Sequence, residues 1–209
     1  MVIIETISFS DALKFPFKKP KRLLYGLMVL IPILGWFVLF GYIARLINEF
    51  VEGRYEGLIK LDIIEDLKLG FVIFLKALPF FIILLIVQYA ISQVNETLGL
   101  LVSLLLSLFV RPILEINFYR KQTIKSFFEF GTLHVVKDDF GDYIITILKQ
   151  IALGIVFLIL SLVLIGIPAF LFTQVIFIAN FYGRVVEQKN LPALEPQFNE
   201  PSTDQMSIN

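Results

Sequence analysis

Residues 71–91 read FVIFLKALPFFIILLIVQYAI, with Lys76 and Gln88 the only strongly polar side chains. An almost uncharged run of this length reads as a transmembrane helix, because about 20 residues cross a ~30 Å hydrocarbon core. Leu98–Val110 adds only two serines to an otherwise apolar run, and Ile151–Tyr182 only Gln174 and Asn180 besides hydroxyls. Hydrophobic residues make up 57% of the chain and mean hydropathy is +0.84, whereas roughly 45–50% apolar is usual for a soluble domain. The reading is an all-α, polytopic membrane protein: two transmembrane hairpins preceded by one bent or re-entrant apolar segment, roughly four to six membrane segments.

The hairpins follow from charge. Ser92–Thr97 carries no Lys or Arg and is placed outside, whereas Arg120, Lys121, Lys125 and Lys137 place the next connection inside. The block Tyr143–Tyr182 is too long for one span and is expected to turn at Gly166-Ile167-Pro168, with proline pre-set for a helix start. The first block, Leu23–Ile47, has basic residues on both sides and holds Pro32 and Gly35 near its middle. Basic flanks on both sides favour a re-entrant or deeply bent segment, with a single span as the alternative.

Residues 1–22 pair an amphipathic stretch (Phe9, Leu13 and Phe17 at helical spacing) with Lys14, Lys18, Lys19, Lys21 and Arg22. This reads as an interfacial basic segment on an anionic leaflet, not a cleavable signal. Ile59, Ile63, Ile64 and Leu67 predict a surface helix feeding the next span. Residues 1–189 therefore form a single integral membrane domain, and 190–209 a disordered polar tail with Pro192, Pro196 and Pro201.

A phrase recurs at the block ends: Asn117-Phe118-Tyr119-Arg120 and Asn180-Phe181-Tyr182-Gly183-Arg184, with a looser version in Tyr42 and Arg45. Asp66/Lys76 and Asp139/Lys149 are offset by the same 73 positions. Together these outline an internal repeat of 54–120 and 126–184, parallel rather than inverted. Tyrosine at headgroup level with arginine just beyond it marks where a helix meets cytoplasmic water. Tyr42, Arg45, Asn117, Tyr119, Arg120, Asn180, Tyr182 and Arg184 thus form a candidate collar for lipid headgroups.

A second candidate site lies deeper. Arg111 and Glu115 sit one helical turn apart, and an ion pair at membrane depth is a site hypothesis by default; Gln88 and Gln174 would line the same path. Enzyme chemistry has no such footing. The chain has no cysteine, His134 is the sole histidine, and no phosphate loop, metal-ligand spacing or protease motif occurs. With 18 basic and 18 acidic residues, no global charge points to nucleic acid. No cofactor is expected, and the expected partners are membrane lipids with anionic headgroups.

Asp11-Ala12-Leu13-Lys14-Phe15-Pro16-Phe17, Ile31-Pro32-Ile33-Leu34, Gly41-Tyr42-Ile43-Ala44-Arg45, Gly53 and Leu67-Lys68-Leu69-Gly70-Phe71 carry a resemblance. The chain resembles the polytopic membrane-protein family filed as "domain of unknown function 4013", mainly archaeal with some bacterial members. It departs from that pattern in lacking a proline and a tryptophan around Leu58–Asp62. The resemblance implies a multi-pass helical fold and a prokaryotic source, and no activity. The expectation is a non-enzymatic component of the cell (plasma) membrane with its C-terminus cytoplasmic; the alternative is a transporter or channel for a small solute or lipid using Arg111 and Glu115.

Overall fold

The structure, a computed structural model, describes residues 4–57, 59–163 and 165–187. The tail expected at 190–209 lies outside the described residues. Every regular element among them is helical.

Helix α1 (Phe9–Lys18) starts where the Ser8 hydroxyl accepts the Asp11 amide at 3.0 Å, an N-cap that satisfies one orphan donor. Its buried face is Ala12, Phe15 and Pro16, rotated from the expected stripe. Phe9 still stacks on Phe177, while Phe17 is half exposed beside Phe157. Helix α2 (Pro20–Gly26) begins on a proline and runs into a 3-10 turn at Leu27–Leu30.

The chain then reverses at Ile31–Ile33, where Ile33 takes φ +65° directly after Pro32, and α3 follows (Leu34–Val51). The first apolar block is therefore bent. Gly35 is what lets its arms close up: a Cβ there would lie 2.0 Å from the Met28 carbonyl oxygen. Trp36 Nε1 donates to the Val29 carbonyl at 3.0 Å across the same bend.

Helix α4 (Ile63–Val94) runs 32 residues from an Asp62 cap, about 48 Å at 1.5 Å per residue. The surface helix and the span read from the sequence are one continuous element. Its first half buries Asp66, Gly70, Ile73, Ala77 and Phe80. Beyond Phe80 none of its side chains is buried. The polar loop expected at Ser92–Thr97 shrinks to Asn95, whose side chain caps α5 (Glu96–Leu105). A π-turn (Leu106–Val110) leads into α6 (Arg111–Lys121), which ends on Gln122 at φ +50°.

Two 3-10 turns and short α7 (His134–Asp138) connect to α8 (Phe140–Leu160). A 3-10 turn at Ser161–Val163 follows α8, and Gly166-Ile167-Pro168, where the turn is expected, already forms the first turn of α9 (Gly166–Thr173). A break at Gln174–Val175 separates α9 from α10 (Ile176–Tyr182).

Among the described residues, five segments are long and apolar enough to cross a membrane: Leu34–Val51, Ile63–Val94, Glu96–Lys121, Phe140–Leu160 and Gly166–Val186. The first and last are central, with 61% and 67% of their apolar windows buried against 17–28% for the other three. The outer three present Leu85, Ile86, Leu100, Leu104, Ile155 and Leu158 outward, each more than half exposed. Continuous apolar surface on that scale is far beyond what a water-soluble monomer shows and is the face a helix turns to lipid. The fold is that of a polytopic α-helical membrane protein.

Candidate functional site

The C-terminal ends of α3, α6 and α10 converge, and the recurring phrase forms a polar layer there. Asn117 is fully buried; its amide donates to the Ser126 carbonyl at 2.7 Å and to Glu129 at 3.1 Å. Asn180 does the equivalent work in the last segment. Its amide donates to the Glu5 carbonyl at 2.8 Å and the Tyr55 hydroxyl at 2.7 Å, while its oxygen accepts the Ile7 amide at 3.3 Å. In both copies, then, the asparagine ties a helix end to backbone outside the α-helices. The copies also bond to each other: the Tyr182 hydroxyl donates to Asn117 Oδ1 at 2.9 Å. Such fully satisfied buried networks specify one arrangement of the helices.

The arginines complete the layer by pairing across elements. Arg45 grips Asp66 through Nε and Nη2, each at 2.7 Å, and also donates to the Lys60 carbonyl at 2.9 Å. Arg120 bonds Glu52 at 3.0 Å and Asn48 at 3.2 Å. Arg184 bonds Asp142 at 2.8 Å and Asn180 at 3.2 Å. Gly183, the one insertion that distinguishes the second phrase from the first, sits where a Cβ would fall 1.9 Å from the Val51 carbonyl oxygen. The α3–α4 crossing is equally tight: a Cβ on Gly41 would meet the Asp66 oxygen at 2.0 Å, and one on Gly70 the Phe37 oxygen at 1.8 Å.

The collar residues are thus gathered at one end of the bundle, as their spacing implies, but turned inward. Tyr42 and Tyr182 are buried in the core, and the arginine side chains keep only 32%, 24% and 18% exposure at Arg45, Arg120 and Arg184. Tyr119 is part-buried beside Phe118, and its carbonyl accepts from Asn48 at 3.4 Å. Tyr55, absent from the sequence reading, is also part of this layer. Burial pushes its phenol up to about 12, against the opposing pull of the Asn180 hydrogen bond and the Arg184 charge.

The deeper pair forms as expected, with Arg111 Nε 2.5 Å from Glu115 Oε1 and the guanidinium 5.3 Å from the Phe81 ring centre. It directly follows the π-turn, where the Tyr143 hydroxyl donates to the Leu108 carbonyl at 2.6 Å. Gln88 and Gln174 are both exposed, and among the described residues neither side chain bonds to the pair. The glutamine that matters is Gln150. Its amide donates to the Thr173 carbonyl at 2.9 Å and its oxygen accepts the Phe177 amide at 3.1 Å, so it replaces the helix bonds lost at the α9–α10 break. A broken helix at membrane depth needs such a partner. The only signal for it in the sequence is a glutamine in an apolar run, shared with Gln88 and Gln174.

Arg22 is a further buried cation. It is 1% exposed, donates to the Phe15 carbonyl at 2.6 Å and the Gly57 carbonyl at 2.8 Å, and lies 3.7 Å from the Phe15 ring centre. Burial lowers its pKa from the ordinary arginine value. Phe15 lies in the last turn of α1, where orphan carbonyls and the helix dipole favour a cation. The residue pins α1 to the loop after α3.

Among the described residues no group of three or more His, Asp or Glu is placed to hold a metal ion. His134 Nδ1 lies 2.5 Å from the nearby Gly131 carbonyl oxygen. No family's sequence pattern, no curated protein and no solved structure matches the chain. Fold and layer together define a multi-pass helical membrane protein whose polar residues near the layer are largely bonded to one another.

Proposed function

We propose that the chain is a non-enzymatic component of the cell membrane, with the polar layer on the cytoplasmic side, that meets anionic lipid headgroups through the cations around that layer. The observation that carries this is a division of labour among basic residues. Arg22, Arg45, Arg120 and Arg184 hold elements together, whereas Lys14, Lys18, Lys19, Lys21, Lys125 and Lys137 are exposed. The partly exposed edges of the three collar arginines add to the same field.

The test is lipid retention by native mass spectrometry, comparing Lys18, Lys19 and Lys21 changed together to Gln with the parent chain. Each cation near an anionic surface contributes about 1 kcal/mol, so preference for anionic over zwitterionic lipid should fall at least tenfold. An unchanged preference removes the lipid reading. The Arg111–Glu115 pair beside the π-turn favours a second reading, a path for a small solute or lipid. That reading requires proteoliposome flux that drops in Glu115→Gln; indifferent flux ends it.

A further inference from the structure

A groove of about 430 Å³ runs between α1 and α8, lined by Leu13, Lys14, Phe17, Val156, Ile159 and Leu160. Phe17 and Phe157 meet beside it, ring centres 6.3 Å apart. Apart from Lys14 the lining side chains are hydrocarbon, and Ile155, Leu158 and Ile159 on the same stretch of α8 are each more than half exposed. We infer that this groove holds one acyl chain of an anionic membrane lipid, with the lipid's phosphate on Lys14. The inference rests on the anionic-lipid reading above and assigns it a particular place.

Two observations favour this occupant. The walls offer nothing that a polar ligand or a peptide backbone could hydrogen-bond, yet one ammonium stands at the edge. That ammonium is available: Lys14 is exposed and makes no ion pair among the described residues. Asp11, one turn back on the same helix, accepts from the Ser8 hydroxyl at 2.7 Å and pairs with Lys18 at 3.8 Å, and the Lys14 charge also acts on it without a direct ion pair. A second protein copy seated here would have to cover Lys14 with an apolar surface, which is costly without a counter-charge.

The chain contains no cysteine, so a single thiol can be used to fill the groove after folding. The full-length protein is purified with Ile159→Cys and reacted with N-cyclohexylmaleimide, and a separate Lys14→Gln variant is prepared. Native mass spectrometry then titrates each with phosphatidylglycerol and phosphatidylcholine of matched chains. Lys14→Gln should weaken phosphatidylglycerol binding about fivefold and leave phosphatidylcholine unchanged. Labelled Ile159→Cys should lose the tightest site for both lipids, while the unlabelled variant matches the parent. Parental phosphatidylglycerol binding in both Lys14→Gln and labelled Ile159→Cys overturns the proposal. If the Lys18/Lys19/Lys21 variant then still loses anionic preference, the broader lipid reading stands and only the groove falls; if it does not, both fall. A dimer that dissociates on labelling gives the groove to a second copy, which also overturns the assignment.

Discussion

Removing Arg45 should destabilise the bundle more than removing Asp66, its partner. Asp66 has no exposed surface and accepts two bonds from Arg45 and one from the Asp62 amide at 2.9 Å. Arg45→Met leaves that carboxylate buried with the Asp62 amide as its sole remaining donor among those bonds. Breaking a buried pair in this way costs about 3–5 kcal/mol. Asp66→Ala strands the arginine instead, but Arg45 keeps a third of its side chain exposed and retains the Lys60 carbonyl. It can turn to water, so the cost is about 1–2 kcal/mol. The double variant leaves no charge stranded and should lie near the Asp66→Ala value, so the coupling should approach the whole Arg45→Met cost, about 3 kcal/mol or more. Sodium dodecyl sulfate titration of the protein in mixed micelles, followed by far-ultraviolet circular dichroism, measures all three. Additive single effects, or an Asp66→Ala cost above that of Arg45→Met, would falsify the reasoning.

Other consequences follow from close approaches and helix breaks. Gly70→Ala should cost about 3 kcal/mol or more, because its Cβ would lie 1.8 Å from the Phe37 oxygen and the two backbones must separate. Gly131→Ala, with nothing within 4 Å of its Cβ, should stay close to the parent in the same titration. Gln150→Leu strips both partners from the α9–α10 break, leaving the Thr173 carbonyl and Phe177 amide unpaired; about 2–4 kcal/mol should be lost. Tyr55 supplies a pH dependence. Its folded pKa, raised to about 12, lies above the ordinary value of 10.0, so folding favours the protonated phenol. That contribution, about 3 kcal/mol, is complete below pH ~10 and fades as pH rises towards ~12. Tyr55→Phe should flatten this part of the stability profile, and an equally steep profile in the variant would contradict it.

The class of fold was legible because lipid imposes long apolar runs that no other environment requires. The bend in the first block was legible as well: Pro32 and Gly35 mark it, though the strained residue is Ile33. Helix continuity was harder. Charged Asp62–Lys68 reads as a surface helix, yet nothing there breaks the backbone, so α4 runs through it. The phrase at the block ends told where three helices finish and not which way their side chains point. Tyrosine and arginine near a membrane surface can anchor to lipid or to a neighbouring helix. The choice depends on partners distant in the chain, such as Glu52 for Arg120 and Asp142 for Arg184. Gln150 was invisible for the same reason, since its role exists only opposite a break that hydropathy does not reveal.

The central claim is that the ends of α3, α6 and α10 form one polar layer facing the cytoplasm, with the α4–α5 turn on the far side. Single cysteines at Ser10, Gly57, Thr97 and Gly131, all exposed, test it with a membrane-impermeant maleimide applied to intact cells. The account predicts that Thr97→Cys labels from outside and that Gly57→Cys and Gly131→Cys label only after permeabilisation. Ser10→Cys should follow Gly57→Cys, because the bent first segment returns to the side it entered. External labelling of Gly57→Cys or Gly131→Cys, or a protected Thr97→Cys, contradicts the account.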